Sequence, residues 1–203
     1  DEYIQLMKEH DVPDWYIKSC EKIKYMFPKA HAAAYVTNAF RIAWFKVHIP
    51  LAYYAAYYSI RAKAFDASCM IFGKEKVKNK MKEIEMKNQK KEATKAELDM
   101  YDDLEIVLEM YERGFEFLPV DLYESEATKF KIQENKLRPP LNSIPGFGGV
   151  AAQGIVEARK DGKFMSIDDL KIRAKIGASG AELLKEFGCL EGMSQSNQLS
   201  LFG

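Results

Sequence analysis

Lys29 and His31 stand two residues apart, just after Pro28 and at the start of an alanine-rich stretch, with Tyr25 one short turn upstream. A cation, an imidazole and a flat ring would meet here at a helix N-terminus. Free backbone N–H groups and the helix macrodipole favour an anion at such a place. The combination fits a nucleoside phosphate. It also fits an ordinary helix start carrying an incidental basic residue, and spacing alone does not choose between them.

A second anion-binding pattern lies further along. Ile144-Pro-Gly146-Phe-Gly148-Gly149-Val150, followed by Ala-Ala-Gln-Gly-Ile155, has the form of a helix-hairpin-helix. Glycines allow a sharp turn and let backbone N–H groups approach a ligand without an intervening Cβ. The helix expected from about Val150 adds its own unpaired amides, and the product is a pocket for one DNA phosphate, read without regard to sequence. The pattern returns in degenerate form as Ile176-Gly177-Ala-Ser179-Gly180 before a helix expected over 181–187. Paired hairpins would grip both strands of a duplex across its minor groove; plain glycine turns between small helices are the alternative. At the end of the chain, Gln198-Leu199-Ser200-Leu201-Phe202 follows a polar run. Such a peptide, with leucine and phenylalanine anchors and a glutamine, suits docking in a partner's groove, unless it is simply a disordered end.

The elements that position these groups are mostly helical. Asp11-Val-Pro13-Asp14 marks a helix entry, and Tyr16, Cys20, Ile23 and Phe27 form an apolar stripe that Pro28 ends. A second helix is expected from about Ala30 to His48, apolar on nearly every side and therefore buried. Pro50 opens a third, whose doublets Tyr53-Tyr54 and Tyr57-Tyr58 suit core positions with hydroxyls reaching polar partners, or base stacking. Asp66 caps a short helix ending at Gly73. Residues 74–95 read as an amphipathic helix with Val77, Met81 and Ile84 inward and lysines outward, whether solvated or on phosphates. A further helix over 95–113 turns Leu98, Leu104 and Val107 inward before Gly114. Asp102-Asp103 and Asp168-Asp169 are expected on helices as surface acids. Residues 127–133 and 136–138 predict a small hairpin across Glu134-Asn135, with a boundary near Pro139-Pro140.

The 203 residues can bury a real core. Net charge is zero, yet residues 74–95 carry nine lysines against four glutamates, and residues 97–126 eleven acids against one arginine. A neutral sum says nothing against local binding patches. Three scattered cysteines argue against a disulfide framework or zinc ribbon and for a reducing, cytoplasmic setting. No signal peptide is apparent, and no apolar run approaches the roughly 18 residues of a membrane span. A start at Asp1, in running sequence without methionine, reads as a piece of something longer.

Three features stand in one order: Phe27-Pro-Lys-Ala-His-Ala-Ala-Ala-Tyr35, the hairpin pair and the terminal Gln-Leu-Ser-Leu-Phe, which is similar to the bacterial sliding-clamp-binding pentapeptide. Together with stretches such as Phe45-Lys-Val-His-Ile-Pro50, they resemble the C-terminal part of PolC-type bacterial replicative DNA polymerases. The resemblance implies a mainly α chain: a helical fingers region with a small β hairpin over 1–138, a tandem helix-hairpin-helix duplex-binding domain over 139–193, and a flexible tail over 194–203 that carries the clamp peptide. It further implies that Tyr25 stacks on the base of an incoming dNTP while Lys29 and His31 approach its phosphates or sugar. Gly146, Gly148, Gly149, Val150, Gly177, Ser179 and Gly180 would hold primer–template duplex DNA, and Gln198, Leu199, Ser200, Leu201 and Phe202 the sliding clamp. Arg41 and Lys46 are weaker candidates. Catalytic aspartates and their Mg²⁺ ions would lie in a palm outside this chain, leaving it no catalytic residue of its own and making it inactive alone. A non-catalytic helix-hairpin-helix adaptor tethered to the clamp is the alternative.

Overall fold

The computed structural model describes residues 2–23 and 28–196, so Tyr25, Phe27 and the Gln198–Phe202 peptide lie outside the described residues. Those described form ten α-helices and one two-stranded sheet. They divide into two compact units, 1–44 and 45–203.

The first unit holds α1 (Glu2–Glu9), which the sequence did not announce, α2 (Asp14–Lys22) and most of α3 (Lys29–His48). Pro13, at φ −59°, leads into α2 as its N-cap. The expected stripe does not hold. Tyr16 and Ile23 are exposed, Ile17 is the buried side chain of α2, and the helix stops at Lys22. Helix α3 departs from expectation more sharply, because none of its residues is buried and Phe40 is 74% exposed. Apolar composition gives a helix a reason to be covered; it does not supply the cover, and the described residues do not provide it.

In the second unit, α4 (Pro50–Ile60) starts with proline in its first turn, where a missing N–H costs nothing. Tyr54 and Tyr58 are buried and stacked 6.1 Å apart, and the Tyr58 ring meets Phe65, Phe117 and Phe130. The hydroxyls are satisfied: Arg113 donates to Tyr54 Oη at 3.0 Å, and Tyr57 donates to Asp103. The tyrosine doublets therefore build core and leave no base-stacking ladder.

Asp103 is the largest correction to the surface expectation. It is 2% exposed, and its Oδ2 accepts the backbone N–H groups of Lys63 (2.9 Å) and Ala64 (2.8 Å) just beyond the end of α4. Burial, together with this carboxylate, pushes the Tyr57 hydroxyl up to about 12. One side chain of the helix that begins at Lys95 thus satisfies two amides that α4 and the following turn leave open. A helical position beside an exposed acid, Asp102, gave no sign of this.

Asp66 caps α5 (Ala67–Met70) by accepting from Ser68 N–H at 2.7 Å. Helix α6 (Lys74–Gln89) buries Val77 and Ile84 against α7 (Lys95–Glu112), which contributes Leu104, Val107 and Met110. Leu98, expected inward, is exposed. The chain breaks after Gln89, with Lys91 left-handed at φ 60°, and Thr94 and Glu97 form a reciprocal capping box that starts α7. The basic and acidic blocks partly face one another: Lys74 and Lys78 pair with Glu112, and Lys87 with Glu97.

Strands β1 (Lys131–Gln133) and β2 (Lys136–Arg138) pair antiparallel with Ile132 opposite Leu137. Glu134 and Asn135, at φ 52° and 57°, make the two-residue turn that matches strand twist. Phe117 bridges Leu137 in parallel on the other side. A second core gathers Leu122, from before the hairpin, with Leu141, Ile144, Phe147, Ile155, Leu170 and Leu184 from beyond it.

Replacing Asp103 with alanine should strand two buried amides and cost about 2–4 kcal/mol of stability. Urea unfolding of the protein checks this; an unchanged midpoint would remove Asp103 from its role.

Candidate nucleic-acid interface

Two short turns, each leading into a helix, occupy this second core. The first follows a 3₁₀ turn, Leu141–Ser143, and leads into α8 (Gly149–Ala158). The second follows α9 (Ile167–Ala174) and leads into α10 (Ala178–Glu186). They superimpose in sequence at a spacing of 29 residues. Gly146 (φ 78°) corresponds to Lys175 (φ 54°), the left-handed residue of each turn. Phe147 corresponds to Ile176, both buried, and Gly148 to Gly177, both extended N-caps. In each helix the first internal bond closes on that cap: Ala152 N–H donates to Gly148 O at 3.0 Å, and Ala181 N–H to Gly177 O at 3.1 Å.

The spacing corrects the register expected from sequence. The sequence pattern puts Ser179 and Gly180 in the turn, ahead of a helix expected over 181–187. Helix α10 begins at Ala178, so Ser179 and Gly180 lie within its first turn. Ile176 plays the part of Phe147. The lure was glycine spacing, whereas the backbone accepts lysine at the one left-handed position.

Ahead of those first internal bonds, the amides of Gly149, Val150 and Ala151 in α8, and of Ala178, Ser179 and Gly180 in α10, have no carbonyl to reach within their helices. Val150 is 90% exposed, and a Cβ at Gly148 or Gly177 would meet nothing within 4 Å. Each edge is open to an incoming group and carries partial positive charge. A phosphate oxygen suits each.

The two turns are held side by side by contacts that small residues permit. A Cβ on Gly180 would come within 3.3 Å of the Phe147 ring, and one on Gly146 within 3.6 Å of Leu183. Gly154 lets α8 run against the end of α9, since a Cβ there would overlap the Ala174 carbonyl. Gly180 thus serves packing through its missing side chain and offers its amide through its helix position. Arg173 closes the connection between the motifs, donating to the carbonyls of Ala158, Gly162 and Lys163. Ser166 caps α9 by accepting from Asp169 N–H at 3.1 Å.

The nucleotide-facing residues expected from sequence belong to the other unit. Lys29 and His31 occupy the first turn of α3 in the first unit, both exposed, with the His31 ring 4.6 Å from that of Tyr35. Lys46 is bound to Glu109 at 2.6 Å over the Tyr53 ring, which makes it structural. Sequence inspection missed Lys175, an exposed cation beside the second edge with no ion pair among the described residues. A lysine directly after an amphipathic helix and ahead of Ile-Gly was the available signal. Burial pushes the thiols of Cys69 and Cys189 up to about 12, so neither is a nucleophile. Among the described residues no group of three or more His, Cys, Asp or Glu side chains lies close enough to share a metal ion, and no helix is long and apolar enough to cross a membrane.

Comparison with known proteins agrees with this geometry. A family model described as a helix-hairpin-helix motif matches residues 114–199. The DNA polymerase III PolC-type of Caldanaerobacter subterraneus subsp. tengcongensis is 53% identical over 201 residues, covering 99% of this chain and 14% of that protein. The Streptococcus suis and Clostridium perfringens proteins of the same name are 54% and 53% identical over 98% of this chain, again at 14% of their own length. Identity above one half along essentially its whole length places this chain in the PolC-type DNA polymerase III family, as a segment spanning about one-seventh of the proteins it matches.

Proposed function

We propose that this segment is the part of a chromosomal replicative DNA polymerase that grips the primer–template duplex, presents the incoming dNTP and ties the enzyme to its sliding clamp. The observation that carries the reading is the pair of open amide edges at α8 and α10, fixed side by side. Backbone donors aimed at phosphates fix a protein on a duplex without reading its sequence. A replicative enzyme must hold every sequence equally. In this reading Gly146, Gly148 and Gly177 are the turn residues, while Gly149, Val150, Ser179 and Gly180 supply amides.

Lys29 and His31, with Tyr25 upstream, form the nucleotide-facing group. Cations and helix-end dipoles stabilise charge on transferring phosphates, and a flat ring holds any base without selecting it. The uncovered apolar faces of α3 fit a segment whose relatives continue well beyond it. Two-metal nucleotidyl transfer belongs in this reading to aspartates and Mg²⁺ outside the chain. In this reading the segment alone would not catalyse. Gln198-Leu199-Ser200-Leu201-Phe202 is the clamp peptide.

Proline fits the first helical position after an extended residue and removes one N–H. In the parent polymerase, Gly149→Pro and Ala178→Pro should each weaken duplex binding about tenfold, the scale of one charge-assisted bond, equally for duplexes of different sequence. Wild-type affinity in both, by fluorescence anisotropy, would contradict the grip. Leu201→Ala with Phe202→Ala should abolish clamp binding and leave duplex affinity alone; retained clamp affinity would refute the tail's role.

A further inference from the structure

Beside the α8 edge lies a polar cleft of about 270 Å³, outside the glycine turns themselves. Its walls are the end of α4 and the turn after it (Ser59, Lys63), the segment before β1 (Thr128, Phe130), and the 3₁₀ turn (Asn142, Ser143). At about 30 Å³ per water molecule in the liquid, it has room for about nine waters. The walls are fixed by hydrogen bonds. Leu141 N–H donates to Glu126 O at 2.9 Å and Asn142 N–H to Ala127 O at 3.1 Å, while Phe130 N–H donates to Ser59 Oγ at 2.9 Å.

Two side chains that can donate here, Thr128 and Asn142, are exposed, and neither has a side-chain hydrogen bond among the described residues. Thr128 is also tied in space to the amide edge. A Cβ built on Gly149 would lie 3.5 Å from Thr128 Cγ2, so the threonine side chain stands beside the first residue of α8. Lys63 supplies a cation. Its ammonium is bonded to Asp99 at 3.1 Å, yet its side chain is 66% exposed and that pair is the weak, surface kind. Lys129, exposed and with no ion pair among the described residues, adds positive charge next to Thr128. Two acids of the surrounding elements are engaged: Asp103 is buried under the Lys63 and Ala64 amides, and Asp66 caps α5. A larger adjoining hollow of about 490 Å³ shares Asn142 and Ser143 with the cleft and reaches Gly146 and Gly148 of the first turn, but Asp66 and Met100 in its wall make it the less suited of the two to an anion.

We propose that this polar cleft is a second phosphate subsite, in which Thr128 Oγ1, Asn142 Nδ2 and Lys63 Nζ hold the phosphodiester adjacent, on the same strand, to the one at the α8 amides. It rests on the duplex-grip reading and extends it beyond the helix-hairpin-helix motif to α4 and the segment before β1. Side-chain donors placed beside backbone donors lengthen the track along one strand, so the register of the duplex is set by two phosphates rather than one. Lys63 brings a counterion-releasing cation that the amide edge lacks.

The test uses the full parent polymerase and duplexes in which single phosphates are replaced by neutral methylphosphonates, read by anisotropy. Wild-type protein should show two adjacent positions on one strand where the replacement weakens binding. In Asn142→Asp, duplex affinity should fall about tenfold and sensitivity should vanish at one of the two positions. Lys63→Gln should lower the slope of log affinity against log salt by about one. Gly149→Pro should lose sensitivity at the other position. Thr128→Val, nearly isosteric, repeats the test if the Asn142 variant melts early. A single sensitive position in wild type, or full sensitivity at both positions in the Asn142 and Thr128 variants with an unchanged Lys63→Gln slope, overturns the subsite while leaving the grip intact. Loss of every positional effect, Gly149→Pro included, overturns both.

Discussion

The burial of Phe147 against a residue that has no side chain, Gly180, is the contact on which the rest of this structure depends. An amide edge at one helix end is a weak and common feature. Two edges at a fixed separation can recognise a repeating polyanion, and the separation here is set by how closely the first turn approaches α10. A methyl at 180 would press on the Phe147 ring at 3.3 Å, closer than ordinary van der Waals contact, and either the ring or the helix would have to give. Gly154, under the Ala174 carbonyl, imposes the same constraint on α8 and α9. Packing at these glycines therefore decides whether the amides act as a pair.

Electrostatics play a different part from the one that composition invites. The lysine-rich α6 spends several charges on its neighbours: Lys74 and Lys78 on Glu112, Lys80 on Glu83, and Lys87 on Glu83 and Glu97. The last pairing, with the Thr94 amide and hydroxyl, holds the Glu97 carboxyl down at about 2. A block of nine lysines facing a block of acids is thus in good part an internal arrangement of two helices. Exposed lysines with no ion pair among the described residues stand also where they were less conspicuous in sequence, as Lys175 directly before the second edge and Lys129 next to Thr128. Backbone dipoles, which add nothing to a residue count, supply the rest. A net charge of zero is consistent with a surface built to meet phosphate at a few points.

Sequence was most informative where local chemistry decides. Pro50 and Asp66 each start a helix as their types require, and Glu134-Asn135 turns the hairpin. The first glycine turn was readable because a proline, three glycines and an alanine-rich helix state one conformation together. The second was legible as a turn, but its helix starts at Ala178 rather than 181, because the left-handed position is held by Lys175 and not by a glycine. Asp103 was misjudged because its value comes from two amides 39 and 40 residues away. Helix α3 was expected to be buried because periodicity reports the appetite of a face and not the presence of a partner. Thr128 and Asn142 carry no motif at all; only the fold brings them to the α8 edge. Local rules thus gave the elements, and long-range contacts assembled the interface.

Paired amides acting as one duplex grip can be observed directly by amide hydrogen exchange in the parent polymerase, with and without duplex. Exchange at Gly149, Val150 and Ala151 and at Ala178, Ser179 and Gly180 should slow together when duplex binds, in duplexes of any sequence, and return to the free rate in high salt. Duplex bound at full affinity with both sets exchanging at their free rates would contradict the account.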